Sequence, residues 1–288
     1  MQIAVTGSIG FLGRAVVAEL RNAGHEVRGI DRARGPNGER PDLAADIGNL
    51  GQICGALHGC DAVLHLAAIP SLSGQLPDVV FSTNVIGIFN VIEAATLLGI
   101  KRAVTISSGS ALGVAYRYHD VALEYLPVDE AHPLLPQDAY GLSKQVGEQI
   151  CSAFHRRTGG TALSLRFPWI VDLEHNASMY AEEIADPQTG MHTLFTYIDV
   201  RDAALACRLA IEAEGLTDEA FYVNAPETFM QQPSAELAQR FFPTAKIRGN
   251  ATGRWALADG SRAEKLLGFR AQHLWDAGSA PAPHEQNR

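Results

Sequence analysis

The sequence predicts an α/β fold in which a doubly wound parallel sheet is followed by a small C-terminal substrate lobe. Three observations predict it. Short apolar runs alternate with helical periods in the first half, a glycine-rich turn joins the first run to the first helix, and the alternation weakens after Pro168. Parallel strands joined by crossover helices produce this pattern, which indicates a Rossmann-type sheet.

Each predicted element follows from its local pattern. Strands are predicted where short runs are rich in apolar and β-branched residues, at 3–7, 25–31, 61–66, 102–107 and 161–166. Helices are predicted at 11–22, at 77–98 with Gly99 ending the helix, and at 140–157 with Gly159 and Gly160 ending it. Loop-like stretches over 172–190 and one further helix at 199–214 follow.

These elements predict how the chain is divided into domains. A Rossmann domain is expected over 1–168, and 197–224 is expected to return to it. A substrate lobe is expected over 169–196 and 225–275. Residues 277–288 have no apolar periodicity and are expected to form a disordered tail.

Composition narrows the class of protein. The 288 residues are 47% hydrophobic and 19% charged, as in folded globular proteins, and the formal charge is −9 without a cluster of Lys and Arg. Nucleic acid and membrane are therefore not expected as partners. No secretory leader and no run of about 20 apolar residues is found, so a cytoplasmic location is expected. The cysteine spacing predicts reduced thiols and no metal site at Cys54, Cys60, Cys151 and Cys207.

Glycines at 7, 10 and 13 lie directly between the first strand and the first helix. In that position Gly7, Gly10 and Gly13 allow a tight turn and let a pyrophosphate approach the helix N-terminus, where backbone amides and the helix dipole bind anions. Three spaced glycines are weak evidence in a chain with 27 of them, but their place supports a dinucleotide site. The alternative is that they serve only the turn.

The end of the second strand bears on the choice of dinucleotide. Asp31 lies eighteen positions past Gly13, where an acidic side chain accepts hydrogen bonds from the adenosine ribose. A carboxylate there repels a 2′-phosphate, which favours NAD over NADP. Arg32 and Arg34 offer a counter-charge and leave NADP open, and Asp31 could instead cap a loop.

A tyrosine and a lysine are spaced for acid–base chemistry. Tyr140 and Lys144 are four residues apart in a predicted helix, so they project from the same face. Moving a tyrosine pKa from about 10 to neutral pH needs about 4 kcal/mol. One positive charge about 4 Å away supplies about 4 kcal/mol at an effective dielectric near 20, before desolvation. Lysine and an oxidised nicotinamide together would be enough to make Tyr140 a general base, and an ordinary exposed pair is the alternative.

Together with these motifs, short blocks in a fixed order carry a resemblance from Met1 to about Phe269. The chain resembles the extended short-chain dehydrogenases of the NAD-dependent epimerase/dehydratase family. The blocks are TGSIGFLG at 6–13, Asp46-Ile47, His65-Leu66-Ala67-Ala68, Asn84-Val85, Ser107-Ser108, YGLSK at 140–144, Arg166-Phe167-Pro168, Tyr197-Ile198-Asp199-Val200 and AEKLLGF at 263–269.

The resemblance implies NAD as the cofactor and a set of residues that bind it. Asp46 would meet the adenine amino group, Ala67 and Ala68 would line the pyrophosphate and the nicotinamide ribose, and Lys144 would hold that ribose. Alternatives are a helix cap for Asp46, close packing for the alanines and a structural role for Asn84. The full implied set is Gly7, Ile9, Gly10, Phe11, Leu12, Gly13, Asp31, Arg32, Asp46, Ile47, Leu66, Ala67, Ala68, Asn84, Ser107, Tyr140, Lys144, Phe167 and Pro168.

The resemblance also implies a third catalytic residue, a Ser or Thr four residues before a Tyr-Gly pair. Counting back from Gly113 selects Ser108, but Leu112 stands where the tyrosine is usual, so Ser110 stays open. Relatives that dehydrate their substrates have Asp-Glu after this hydroxyl. The chain has Gly109-Ser110 instead, which makes dehydration less favoured.

The function implied is hydride transfer at a secondary alcohol of a sugar-like substrate, by a dehydrogenase or an epimerase. The short segment between Pro168 and Tyr197 favours a free sugar or sugar acid over a nucleotide sugar. A homodimer that pairs helices 77–98 and 140–157 is expected. A non-catalytic NAD(P)-binding regulatory or interaction protein is the alternative from another class. Candidate substrate contacts are Ser71, Arg117, His119, His192 and Arg254.

Overall fold

A seven-stranded parallel sheet forms the centre of the molecule, and the predicted fold class is confirmed. The computed structural model describes residues 1–32, 34–35, 38–72, 74–175, 186–249 and 252–275. Its sheet strands are β1 (Gln2–Thr6), β2 (Glu26–Asp31), β3 (Leu43–Ala44), β4 (Ala62–His65), β5 (Arg102–Ser108), β7 (Thr161–Phe167) and β10 (Ala220–Tyr222). Their spatial order is β3-β2-β1-β4-β5-β7-β10, and all neighbours are parallel.

The strand order reverses beside β1. The chain runs outward from β1 to β2 and β3, then returns to β4 on the other side of β1, where Thr6 pairs with His65. In open α/β sheets the carboxyl ends of the strands form a crevice at such a switch point. The crevice at the ends of β1 and β4 is where the glycine turn begins.

Helices cover the sheet. They are α1 (Phe11–Asn22), α2 (Leu50–Leu57), α3 (Pro77–Leu97), α4 (Ala139–Thr158), α5 (Pro187–Gly190), α6 (Val200–Glu212), α7 (Ser234–Phe241) and α8 (Ser261–Leu267). The four longest were predicted, and α1 has the predicted bounds. The predictions missed α2, α7 and the short β3 because an element of two to eight residues shows too little of its period.

The predicted helix ends follow local chemistry. Gly159 adopts φ +65° directly after α4, and Gly99 adopts φ +73° two residues after α3. The left-handed conformation is accessible to glycine without steric cost, which explains both stops. Asp199 caps α6 by accepting a hydrogen bond from the Arg201 amide at 2.9 Å, so the helix begins one residue later than predicted.

The expectation that no segment is apolar and long enough to span a bilayer is wrong for α3. Among the described residues, α3 is the one helix that is long and apolar enough to cross a membrane by length and composition. It has 21 residues and a mean hydropathy of 1.5 over its most apolar window. Half of that window is buried inside the protein, and α3 packs between α2 and α4. It also buries the side chains of Asn84 and Asn90, as a core helix of an α/β fold can.

A second apolar cluster lies beside the sheet and packs residues of α7 and Met191, which follows α5, with aromatic side chains such as Phe195 and Phe229. Segment 112–128, which the predicted division left in the Rossmann domain, also contributes, with Leu112 and Leu126 buried in this cluster. Three short strands outside the main sheet, β6 (Tyr125–Leu126), β8 (Trp169–Val171) and β9 (Tyr197–Asp199), border it, and β11 (Lys246–Ile247) pairs with β6. The predicted tail at 277–288 lies outside the described residues.

Candidate active site

The glycine turn after β1 is shaped by backbone that lies very close to it. Gly7 adopts φ +73°, and a Cβ on it would lie 2.6 Å from the backbone nitrogen of Ala67. A Cβ on Gly13 would lie 2.0 Å from the carbonyl oxygen of Gly7. Gly10 is the N-cap of α1 and offers no side chain to its amides. The turn therefore leaves the first amides of α1 open at the crevice, where an anion can bind.

A cavity of about 260 Å³ extends from this turn towards the end of β2. The Asp31 carboxylate accepts hydrogen bonds from the amides of Ile9, at 3.3 Å, and Arg32, at 2.8 Å. The loop between β2 and the glycine turn is thereby fixed. Of the predicted cofactor residues, the cavity wall contains Gly7, Gly10, Asp31, Arg32, Asp46, Ile47, Leu66, Ala67 and Ala68.

Asp46 does not cap α2, so that alternative is wrong. Its Oδ1 accepts a hydrogen bond from the Gly48 amide at 2.8 Å, and α2 is capped by Asn49, whose side chain accepts from Gln52 N at 3.1 Å. Ile47 packs against α3. A Cβ added to Gly87 of that helix would lie 2.4 Å from the Cδ1 atom of Ile47.

Asn84 joins three parts of the site by hydrogen bonds. Its Oδ1 accepts from Ile69 N at 2.8 Å, and its Nδ2 donates to Ile69 O at 3.1 Å and to Ser143 Oγ at 3.2 Å. The side chain is buried and its polar atoms are paired with protein. It holds the loop that carries Ala67 and Ala68 against α4, which is the structural role weighed from the sequence.

The predicted catalytic residues meet at the wall of one large cavity. Tyr140 and Lys144 lie one turn apart on α4, and the Lys144 ammonium nitrogen is 5.5 Å from the centre of the Tyr140 ring. Lys144 Nζ donates to Ile106 O on β5 at 2.9 Å. The cavity of about 850 Å³ is lined by all three predicted catalytic residues and by Gly7, Gly10, Phe11, Leu12, Gly13, Leu66, Ala68, Ser107, Phe167 and Pro168.

Ser108 is better placed than Ser110 to act with the tyrosine. Its hydroxyl lowers the pKa of Tyr140 and so opposes the effect of burial on the phenol. Its Oγ also accepts from the Ser110 amide at 3.1 Å and lies 3.1 Å from Ser110 Oγ. Leu112, the departure from the family pattern, is buried in the second apolar cluster.

Comparisons with known proteins decide the family. The family model described as "NAD dependent epimerase/dehydratase family" matches residues 3–223. The chain belongs to this family.

Two curated relatives and one solved structure illustrate the family match. An L-arabinose 1-dehydrogenase (NAD(P)(+)) of Haloferax volcanii is 29% identical over 77% of the chain and 87% of its own length. A uronate dehydrogenase of Pseudomonas syringae pv. tomato is 29% identical over 57% of the chain and 58% of its own length. A short-chain dehydrogenase/reductase superfamily protein from Agrobacterium tumefaciens, solved with bound NAD, superposes with a TM-score of 0.73 at 26% identity over 96% of the chain and 94% of its own.

The residues present fit the NAD that this family uses. The close approaches at Gly7 and Gly13 leave no room for side chains in the turn. The cavities at its two sides share Gly7, Gly10 and Leu66, so they form a path from Asp31 to Tyr140. The Asp31 end of this path is suited to an adenosine ribose, and the Tyr140 end is suited to a nicotinamide.

Burial dominates the titration of the catalytic pair. Burial raises the pKa of Tyr140 to about 12, and the hydrogen bond from Ser108 opposes that rise. Burial lowers the pKa of Lys144 to about 8. Lys144 alone therefore does not make the phenol acidic, as the sequence led us to expect. The cost of desolvating the phenolate exceeds the stabilisation from the Lys144 ammonium, which is hydrogen-bonded to Ile106 O.

A buried ion pair lies behind the catalytic residues, and the sequence analysis did not single it out as a pair. Arg166 on β7 donates from Nε and Nη2 to the two carboxylate oxygens of Glu148, both at 2.8 Å. Ser107 donates to Glu148 Oε1 at 2.6 Å. Burial alone would lower the pKa of Arg166. The hydrogen bonds and the negative charge of Glu148 have the larger effect, so the pKa of Arg166 is raised. The pair fixes Ser107 beside Ser108.

His65 also supports the site from behind. Its Nδ1 lies 2.7 Å from Thr6 Oγ1, and Ala67 N donates to that hydroxyl at 3.4 Å. Burial, with a smaller contribution from the charge of Lys144, lowers the pKa of His65 to about 3. A neutral imidazole therefore links β4 to β1 just below the glycine turn.

The substrate end of the large cavity departs from the predictions. Of the five candidate contacts, Ser71 and His192 line it, whereas Arg117, His119 and Arg254 are not part of its wall. Sequence reasoning missed Tyr116, Trp169, Thr196, Tyr222 and Asn224, which do line it. They come from separate loops and strands, so no spacing in the sequence could have grouped them.

Proposed function

We propose that the chain transfers a hydride at a secondary alcohol carbon of a sugar-like substrate, with NAD as the cofactor, as a dehydrogenase or an epimerase. The observation that carries this proposal is the shared cavity, in which Tyr140, Lys144 and Ser108 line the same wall as Gly7 and Gly10. The names of the relatives, dehydrogenases of L-arabinose and uronate, support a sugar-like substrate.

Each catalytic side chain has a role in proton transfer. Bound NAD supplies the hydride acceptor and, when oxidised, a positive charge. Tyr140 takes the proton of the substrate hydroxyl, and Ser108, which lines the same cavity wall, orients the same oxygen. Lys144 holds the ribose and provides the protein's own positive charge beside the phenol.

The electrostatic requirement can be estimated from the Tyr140 pKa of about 12. Ionising this phenol at neutral pH needs about 7 kcal/mol, since each pKa unit is worth about 1.4 kcal/mol. One positive charge about 4 Å away supplies about 4 kcal/mol at an effective dielectric near 20. Lys144 alone is therefore insufficient, and we infer that a second positive charge is required.

Replacing the phenol tests the proposal. Tyr140→Phe is expected to lower kcat by about 10²- to 10⁴-fold, since a positioned general base contributes that much, while NAD affinity stays within about twofold. Turnover is measured as NADH absorbance and product stereochemistry over a panel of sugars, uronic acids and nucleotide sugars. Tyr118→Phe, at a side chain that is 75% exposed, is the matched control. Undiminished turnover by Tyr140→Phe would refute the proposal.

The two reactions differ in what happens to the cofactor. An epimerase returns the hydride to its substrate, so we expect it to purify with retained NAD and to accumulate no NADH. A dehydrogenase accumulates NADH in proportion to product. Mass spectrometry of the nucleotide that co-purifies, together with product stereochemistry, separates them.

We also propose NAD over NADP. The Asp31 carboxylate lies in the wall of the adenosine-side cavity and would repel a 2′-phosphate. Arg32 lines the same cavity, whereas Arg34 does not. Dissociation constants for the two nucleotides, compared before and after Asp31→Asn, test this. The substitution is expected to shift the ratio towards NADP, and an unchanged ratio would contradict it.

A homodimer is proposed through the outer faces of α3 and α4. Val79, Ile86 and Phe89 on α3 are 37%, 48% and 48% exposed, and Leu142 on α4 is 41% exposed. The two helices pack side by side, so these side chains form one apolar surface that a second copy would cover. Sedimentation analysis of Phe89→Glu is expected to show monomers. A monomeric wild-type protein would contradict the dimer.

A cytoplasmic location is proposed from the thiols. Cys54, Cys60, Cys151 and Cys207 are free, and all but Cys54 are buried. Free thiols are usual where glutathione keeps the compartment reducing. Fractionation of cells that express the tagged full-length chain tests this, and recovery with membranes or the medium would contradict it.

A further inference from the structure

The substrate end of the large cavity has little positive charge to offer. Its described wall combines apolar and aromatic side chains, such as Val114 and Leu194, with uncharged polar ones, such as Ser71 and Thr196. Among the described residues of this wall the cationic side chains are Lys144 and His192, and Lys144 is hydrogen-bonded to Ile106 O. The wall contains no arginine within the described ranges.

The arginines expected near the substrate are held elsewhere. Arg117 donates to Asp120 Oδ1 at 3.2 Å and contacts Met191 Sδ at 3.3 Å. Arg254 donates to Glu227 Oε2 at 2.8 Å. Segment 176–185, which lies outside the described residues, has two glutamates and no lysine or arginine in its sequence, so it adds no positive charge.

Negative charge lies close to the reacting groups. Tyr140 and Tyr116 line the cavity with their rings 6.0 Å apart in an edge-to-face arrangement. Burial raises the pKa of both phenols, and the Asp138 carboxylate raises both further. Neither phenol therefore gives a substrate carboxylate or phosphate a positive partner.

One buried amide in the wall is neutral and held in a fixed orientation. Asn224 is 7% exposed, and its Nδ2 donates to Ala225 O at 2.8 Å and Ala258 O at 3.1 Å, which fixes the orientation of the amide. Its Oδ1 has no hydrogen-bond partner among the described residues. This oxygen is closed to solvent, so Asn224 adds a neutral, fixed amide to the wall and no positive charge.

We propose, building on the function proposed above, that the substrate is an uncharged sugar or polyol and that the cavity discriminates against uronic acids and nucleotide sugars. Removing a carboxylate or diphosphate from water without a cationic partner is costly, whereas hydroxyl groups can pair with Ser71 and Thr196. The apolar faces of sugar rings pack well on the aromatic rings of Tyr116 and Trp169.

Matched substrate pairs test this inference on the full chain with saturating NAD. Each neutral aldose is compared with the uronic acid of the same configuration, glucose with glucuronate and galactose with galacturonate, and with the corresponding UDP-sugar. The neutral member is expected to have a kcat/KM about tenfold or more above its charged partners, since tenfold corresponds to about 1.4 kcal/mol.

The possible results separate this inference from the proposed function. Turnover of a uronic acid or UDP-sugar as efficient as that of its neutral partner overturns the inference and leaves the proposed function standing. If no pair is turned over, the proposed function fails and the inference fails with it.

A charge added at the cavity rim gives an independent test. His192 is exposed and lines the cavity, and His192→Arg places a permanent positive charge there. This variant is expected to raise the ratio of acid to neutral kcat/KM about fivefold relative to His192→Gln, and added salt is expected to reduce the gain. Equal ratios in the two variants would show that charge does not set the preference and would overturn the inference.

Discussion

The buried lysine beside Tyr140 is expected to lower the free energy of unfolding at neutral pH. Lys144 is 9% exposed, and burial lowers its pKa from 10.5 to about 8. Between these values the unfolded chain holds a proton that the folded chain has released, so the free energy of unfolding rises with pH across this window. The difference between the two pKa values corresponds to about 3 kcal/mol.

The comparison with Lys144→Met isolates this contribution. The unfolding free energy of the wild type minus that of the variant is expected to be flat below about pH 8 and to rise by about 3 kcal/mol up to about pH 10.5. Groups common to both proteins cancel in the difference. Urea unfolding without added NAD, followed by circular dichroism at a series of pH values, gives the quantity. Lys265→Met, which removes an exposed lysine of α8, provides the background to subtract.

The sign of the change decides the result. A difference that stays level or falls between pH 8 and pH 10.5 would refute the account, because the ammonium would then be no less stable inside the protein than in water. The account would also be refuted if the wild type minus Lys265→Met showed the same rise in unfolding free energy between these pH values.

Three further outcomes follow from the site. Gly13→Ala is expected to weaken NAD binding about tenfold or more, because its Cβ would lie 2.0 Å from Gly7 O. The dissociation constant is measured by fluorescence titration. Gly55→Ala in α2, where a Cβ meets nothing within 4 Å, is the control and should leave that constant unchanged. Glu148→Gln is expected to lower the free energy of unfolding, measured with urea, by about 3 kcal/mol because it leaves the buried Arg166 charge without its partner. Glu264→Gln, at the exposed pair with Arg270, should lower it by under about 1 kcal/mol. Equal losses in the two variants would contradict this. Asn84→Ala is expected to raise the KM for NAD more than it lowers kcat, because it frees the loop at Ile69 while Tyr140 keeps its place, and a fall in kcat alone in steady-state kinetics would refute that role.

Local patterns in the sequence were enough for the framework of the cofactor site. The glycine turn, the strand that precedes it and α1 lie within 22 residues of each other, so steric rules and periodicity act on neighbours and can be recognised in the sequence. The same is true of Tyr140 and Lys144, whose spacing of four residues on α4 places them on one face. The short elements α2, α7 and β3 were missed because they show less than a full amphipathic pattern.

The substrate end of the cavity depended on tertiary structure. Tyr116, Trp169 and Asn224 meet there although more than 100 residues separate the first from the last, and only the folded sheet and its loops bring them together. The acidity of Tyr140 is likewise a tertiary property, because burial raises its pKa to about 12.

By itself the sequence was enough to predict the Rossmann-type sheet, the family and the place of Tyr140 and Lys144 on one helix face, since periodicity and a spacing of four residues are local patterns. The tertiary structure decided which charges reach the substrate. Arg117 and Arg254 are bound to carboxylates outside the cavity wall, and Glu148 pairs with Arg166 across two elements. Electrostatic energy depends on distance and burial, and neither can be obtained from the order of residues alone.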